Sequence, residues 1–276
     1  MFKNGKVVFI LINSLLVLAC SGEKKKKQET TQKVAPKEYQ LVWADEFDGN
    51  DVNKDNWSFV IWDEGRVNNE WQKYVENPDN YKVENGFLHI TVTKTGDNIK
   101  GGYTSTRLSS AAKKEFKYGR IEFRAKMPEG RGTWPALWML GSNIDKVKWP
   151  KCGEIDIMEY VGFQPDTTHT NIHTKYQSGN TDFHAIIPLA SAEEEFHTYG
   201  ITWTPETIEF YLDNPKNITN TYAPEIKTEE NWPFDQPFYL IMNFAVGGTW
   251  GGSLGVDETI WPQTMVVDYV RVYQLK

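Results

Sequence analysis

The run Gly153-Glu154-Ile155-Asp156-Ile157-Met158-Glu159-Tyr160 decides how this chain is read. It carries β-branched and aromatic residues and, after Gly153, neither Gly nor Pro, which is strand composition. Side chains alternate faces along a strand, so Glu154 and Asp156 share one face while Ile155 and Ile157 share the other. Glu159 has the wrong parity: strict alternation sends it inward with the isoleucines. One extra residue near Ile157-Met158, a β-bulge, returns it to the acidic face. The expectation is a bulged strand with three carboxylates in a row on one surface.

A row of like charges on one strand face destabilises a sheet, so it calls for a chemical reason. Two carboxylates flanking a glycosidic bond, one a general acid and one a nucleophile or base, are what glycoside hydrolysis requires. Strand rise separates the Cα atoms of Glu154 and Glu159 by roughly 13 Å. Side chains leaning together close that gap to about 5–5.5 Å, the retaining geometry. Asp156, between them, is placed to hydrogen-bond the nucleophile and to influence which neighbour holds the proton. Two other readings stand beside this one. The first is a solvated acidic strand face; the second is a divalent-metal site, weakened because the motif contains no His.

The same alternation recurs outward from this run. Strands are expected at 39–43, 87–93, 119–127, 168–174, 198–203, 208–212, 238–244 and 265–274, with turn signals such as Asn85-Gly86, Thr204-Pro205-Glu206 and Asp213-Asn214-Pro215 between them. No apolar stripe of helical period has useful length; 191–196 reads as one short turn. Many short strands with Gly and Pro punctuation give an all-β chain folded as a β-sandwich, with no internal repeat and no second domain.

The net charge of −7 argues against nucleic acid as a partner, because a phosphate backbone calls for a basic surface. The 11 tryptophans exceed what core packing alone explains, and flat platforms for sugar rings account for the remainder. At the N-terminus Lys3 and Lys6 precede a short apolar region, too short to span a membrane comfortably, which reads as a secretion signal. Val17-Leu18-Ala19-Cys20 resembles a bacterial lipobox, making residues 1–19 a lipoprotein signal peptide and Cys20 the lipidated first residue. Residues 20–37, polar and carrying Lys24–Lys27, read as a flexible tether, and 38–276 as the folded domain. The expected location is the bacterial cell envelope, lipid-anchored in the outer membrane or at the cell surface, with the chain monomeric. Cys152 reads as a small packed residue beside the acidic strand, since no base stands next to it in sequence.

Around the acids, Trp134 and Trp138 lie four apart in Gly132-Thr133-Trp134-Pro135-Ala136-Leu137-Trp138, where Pro135 excludes a helix, so at strand spacing both indoles share a face. Trp250 sits in Gly247-Gly248-Thr249-Trp250-Gly251-Gly252, a loop that must turn sharply or approach something closely, and reads as a stacking residue. His173, and less strongly His169, stand on the 168–174 strand; an imidazole close to Glu159 would tune its proton affinity.

Taken together, GEIDIMEYVG resembles the active-site signature of the family-sixteen glycoside hydrolases in the bulged E-x-D-x-x-E form of the laminarinase-like branch. WADEFDG at 43–49, NNEWQ at 68–72, YTSTRL at 103–108, GTWPALWML at 132–140, NFAVGGTW at 243–250 and VDYVRVYQ at 267–274 agree in the family's order. The resemblance implies a jelly-roll, concanavalin A-like sandwich whose concave face carries a substrate cleft. It further implies retaining endo-hydrolysis of β-1,3-glucan, with Glu154 as nucleophile, Glu159 as acid and base, and Asp156 as helper. It assigns Asn69, Glu70 and Arg107 to the cleft, puts Trp138 near the acids, and matches Glu46, Gly86 and Asp268 to a structural calcium site on the opposite face. No cofactor is implied for the chemistry. Hydrolysis of a mixed-linkage glucan or an algal galactan, and a non-catalytic glycan-binding lipoprotein, remain the competing expectations.

Overall fold

The computed structural model describes residues 38–276; the expected signal peptide, the expected lipidation at Cys20 and the expected tether lie outside the described residues. The acidic strand, Glu154–Glu159, lies inside an eight-stranded sheet. Its order runs from Ala185–Pro188 through Thr167–His173, Glu154–Glu159, Thr133–Gly141, Phe238–Val246 and Arg107–Ser109 to Ser58–Phe59, and Glu115–Phe116 also pairs with Phe238–Val246. A ten-stranded sheet packs behind it, built around Gly119–Lys126, His197–Trp203 and Gln263–Leu275. The pairing is antiparallel except for Gln72–Tyr74 beside Tyr103–Ser105. This is the jelly-roll sandwich that the sequence implies.

Parity explains the core. Leu137 and Met139, Ile155 and Ile157, Leu240, Met242 and Phe244 point from the first sheet to meet Leu88, Ile90, Ile121, Phe123, Val270 and Val272 from the second. All of these are essentially inaccessible to solvent, and each contributes roughly 1.5–3 kcal/mol by leaving water. A one-residue slip in any of these strands would turn its apolar set outward, so the core fixes the register.

The bulge falls where parity demands it. Leu137 pairs with Met158 but Trp138 pairs with Asp156, leaving Ile157 as the extra residue. The same irregularity appears on the other side, between Asp156 opposite Asn171 and Glu159 opposite His169. Ile157 and Met158 therefore both enter the core, and Glu159 emerges on the acidic face.

The 133–141 segment is a nine-residue strand, the extended conformation that Pro135 and the tryptophan spacing call for. The short strands Gln72–Tyr74, Tyr81–Glu84 and Ile218–Tyr222 were not expected, being too brief for alternation to register. One helical turn, Ile144–Val147, interrupts the hairpin before the acidic strand. The turn expected at 191–196 is present, with the Glu194 and Glu195 amides donating to the Ser191 carbonyl. Cys152 is buried and unpaired, as a packed residue should be.

Candidate active site

The outward face of the eight-stranded sheet opens into a cleft of about 790 Å³. Strand alternation fills it: Trp134, Ala136, Trp138 and Leu140 come from one strand, Glu154, Asp156 and Glu159 from the next, and Asn171 and His173 from the third. Asn243 and Ala245 arrive from the other flank, with Glu70, Arg107 and Trp250 at the edge.

Each outer carboxylate is held by an indole. The Trp134 N–H donates to Glu159 Oε1 at 3.1 Å, and the Trp149 N–H donates to Glu154 Oε2 at 3.1 Å. The two donors differ in setting: Trp134 is a buried strand residue, whereas Trp149 belongs to the hairpin loop and is 47% exposed. Trp138, expected close to the acids, stands across the strands from Asp156, and its N–H donates to Asn243 Oδ1 at 2.7 Å. Its ring and that of Trp62 sandwich the Arg107 guanidinium, at 4.8 and 4.4 Å from the ring centres.

His173 does not lie beside Glu159. The antiparallel register sets it opposite Glu154, with Nε2 3.7 Å from Glu154 Oε1 and 3.1 Å from Asp156 Oδ2, while His169 faces Glu159. Asn171 Oδ1 accepts from the Ile172 amide and from the Thr181 hydroxyl, and its Nδ2 lies 3.2 Å from His173 Nε2. Asp156 Oδ2 is buried and receives no hydrogen bond among the described residues.

Burial raises Glu154, Asp156 and Glu159 to about 8. For Glu154 and Glu159 the Asp156 charge adds to the rise; His173 and Arg107 pull Glu154 back, and the Trp134 N–H and His173 pull Glu159 back. The row thus titrates as a coupled set that shares protons at neutral pH.

Other expected residues fall as follows. Glu70 is buried, accepting from Asn68, Gln72 and Tyr74; burial raises its pKa. Asn69 is not among the cleft-lining residues; its neighbour Asn68 is. The Trp250 loop makes the close approach its glycines suggested: a Cβ on Gly251 would stand 2.8 Å from both the Gly247 carbonyl oxygen and Trp134 Cβ. Trp250 meets Trp134 edge to face at 5.5 Å. At the expected calcium position, Glu46 accepts two hydrogen bonds of 2.8 Å from Arg271 and Asp268 pairs with Arg124. Both carboxylates are neutralised by guanidinium, an arrangement that does not fit a cation. Among the described residues, the group of side chains spaced for a metal is Glu154, Asp156 and His173, which is the acid row itself.

Trp149, Trp62, Asn243 and His184 also line the cleft and were not singled out from sequence. A signal existed for Trp149: an indole in a Lys- and Pro-rich hairpin has no core to enter. Asn243 shows none beyond its alternation with core residues.

A β-sandwich bearing a row of buried acids beneath tryptophans has the make-up of a carbohydrate-cleaving enzyme. The family profile described as glycosyl hydrolases family 16 matches residues 68–271, and the chain belongs to that family. It is 42% identical over 248 residues to a beta-glucanase of Rhodothermus marinus, a match covering 86% of this chain and 85% of that protein. The crystal structure of a laminarinase from Flavobacterium sp. UMI-01 superposes with a TM-score of 0.80 at 46% identity, covering 85% of this chain and all of that one. An endo-beta-1,3-glucanase structure from Pyrococcus furiosus gives a TM-score of 0.79 at 40% identity over 88% and 97% of the two chains.

Proposed function

We propose that the chain is a retaining endo-hydrolase of β-1,3-glucan of the laminarin type. The supporting observation is the bulge at Ile157, which aims Glu154 and Glu159 into one cleft, each held by an indole N–H. Glu154 has His173 and Arg107 to favour its charge, so it takes the ionised role and attacks the anomeric carbon. Glu159, protonated at neutral pH, gives its proton to the departing glycosidic oxygen as that bond breaks. A glucosyl ester on Glu154 results. Glu159, now ionised, takes a proton from water, whose oxygen attacks the same carbon and releases Glu154. Asp156 keeps its proton and, lying between the two, avoids adding a second charge to the row.

A reducing-sugar assay on laminarin, lichenan, agarose and carrageenan tests the substrate class. Laminarin should be cleaved fastest; preferential agarose or carrageenan cleavage would refute the reading. Proton NMR of the first products should show the β-anomer, and an initial α-anomer would mean inversion.

We further propose that Cys20 carries lipid and anchors a monomeric enzyme in the cell envelope. A radiolabelled fatty acid should enter the wild type and not Cys20→Ala; equal labelling of both would refute the anchor. The arginine-paired carboxylates give calcium no place in this proposal.

A further inference from the structure

His169 and His184 form a pair that the acid chemistry does not use. His169, the cross-strand partner of Glu159, is fully buried. Its Nδ1 lies 2.8 Å from Nε2 of His184. The rings are nearly coplanar, 13° apart with centres 4.9 Å apart, so they meet edge to edge along one N–H···N hydrogen bond. One nitrogen must donate and the other accept.

The direction follows from the far side of His169. Its Nε2 is buried and has no partner. An orphaned buried N–H is a rarer and costlier defect than an unsatisfied acceptor, so the His169 proton sits on Nδ1 and is donated to His184. Burial also keeps both rings neutral, with His169 pushed down to about 4 and His184 lowered. A neutral His184 that accepts at Nε2 must carry its proton on Nδ1. That nitrogen makes no hydrogen bond among the described residues, and His184 is an exposed residue lining the cleft. Trp250 braces the pair, its ring 4.9 Å from His169 and 5.8 Å from His184, and packs on Trp134, the donor to Glu159.

We propose that His184 is a substrate-positioning residue: its Nδ1–H, set as a donor by the buried His169, hydrogen-bonds an acceptor oxygen of the bound glucan at the Glu159 end of the cleft. The inference rests on the glucanase reading for its ligand, and its geometry stands on the histidine pair. His169 is then a residue whose part is to fix the tautomer of another.

The test compares wild type, His184→Ala and His184→Asn on laminarin, with melting curves as a folding check. His184→Ala leaves the buried His169 Nδ1–H without its acceptor and should melt somewhat below the wild type while staying folded at the assay temperature, whereas His184→Asn, which keeps an acceptor oxygen, should melt nearer the wild type. The Ala variant should raise KM roughly tenfold with little change in kcat, the effect of one lost hydrogen bond. The Asn variant, which keeps a side-chain N–H, should recover part of that loss. Nitrogen-15 imidazole NMR of the wild type should report the Nδ1–H form of His184. A KM for His184→Ala within twofold of an active wild type, or an Nε2–H tautomer for His184, would overturn the proposal. An inert wild type would instead sink the glucanase reading.

Discussion

Replacing Trp134 by Phe separates the indole's hydrogen bond from its bulk. The N–H donates to Glu159 Oε1 at 3.1 Å and lowers that group's pKa against the burial that raises it. A hydrogen bond to a charged group is worth roughly 1.5–3 kcal/mol. At 1.36 kcal/mol per unit, its loss raises Glu159 by about 1–2 units. The sign is fixed: the donor favours the ionised form, so removing it favours the acid. Glu159 must be protonated for the first step, so kcat/KM in wild type falls above about pH 8, where this carboxyl ionises. In Trp134→Phe the alkaline limb should move up by about one unit or more, while kcat near pH 7 falls because a smaller fraction of Glu159 is ionised to take the proton from water. Lost stacking lowers the whole curve without moving its limb. The assay is initial rate on laminarin from pH 5 to pH 10 at sub-saturating substrate. An alkaline limb that stays in place, or moves down, would refute the assignment of Glu159 as the acid held by Trp134.

Four further substitutions test the same geometry. Glu154→Gln should remove turnover with the fold intact by circular dichroism, and Glu159→Gln should lower kcat about 10²–10⁴-fold, recovering with aryl glucosides whose leaving group needs no proton. Asp156→Asn should be inactive or nearly so, yet melt higher at pH 7.5. The folded pKa is raised, so the unfolded chain releases this proton from about pH 4 while the folded chain keeps it to about 8. Stability therefore falls as pH rises through that window. Asn removes the dependence, each 1 kcal/mol regained adding about 2–4 °C, and equal melting points at pH 7.5 would contradict a buried neutral Asp156. Gly251→Ala should lower activity more than stability, since its Cβ meets Trp134 Cβ and the Gly247 carbonyl; unchanged kinetics would show that the loop yields.

How much of this was readable from sequence depends on what each feature rests on. The bulge was, because only one arrangement puts two isoleucines inward and three acids outward in six residues. The shared face of Trp134 and Trp138 was, for the same reason of parity. The partner of His173 was not: which of Glu154 and Glu159 it faces is set by the register of a hairpin whose loop, 160–166, holds Gly162 and Pro165-Asp166, turn residues that mark a loop without setting the register of its strands. Asn68 and Asn69 both adopt left-handed backbone, φ 51 and 53, and nothing in their identity says which reaches the cleft. Trp149 depends on Lys148 at φ 64 and ψ 163, a conformation that ordinarily belongs to Gly and that no residue there announces.

The two indole clamps have unequal footing. Trp134 is locked between hydrogen-bonded strands, whereas Trp149 hangs from a segment whose one helical turn buries no side chain. Segments of that kind open at free energies far below global unfolding. Warming should therefore release the nucleophile's clamp while the sandwich is still whole, so that the enzyme falls silent several degrees before it melts and recovers on cooling.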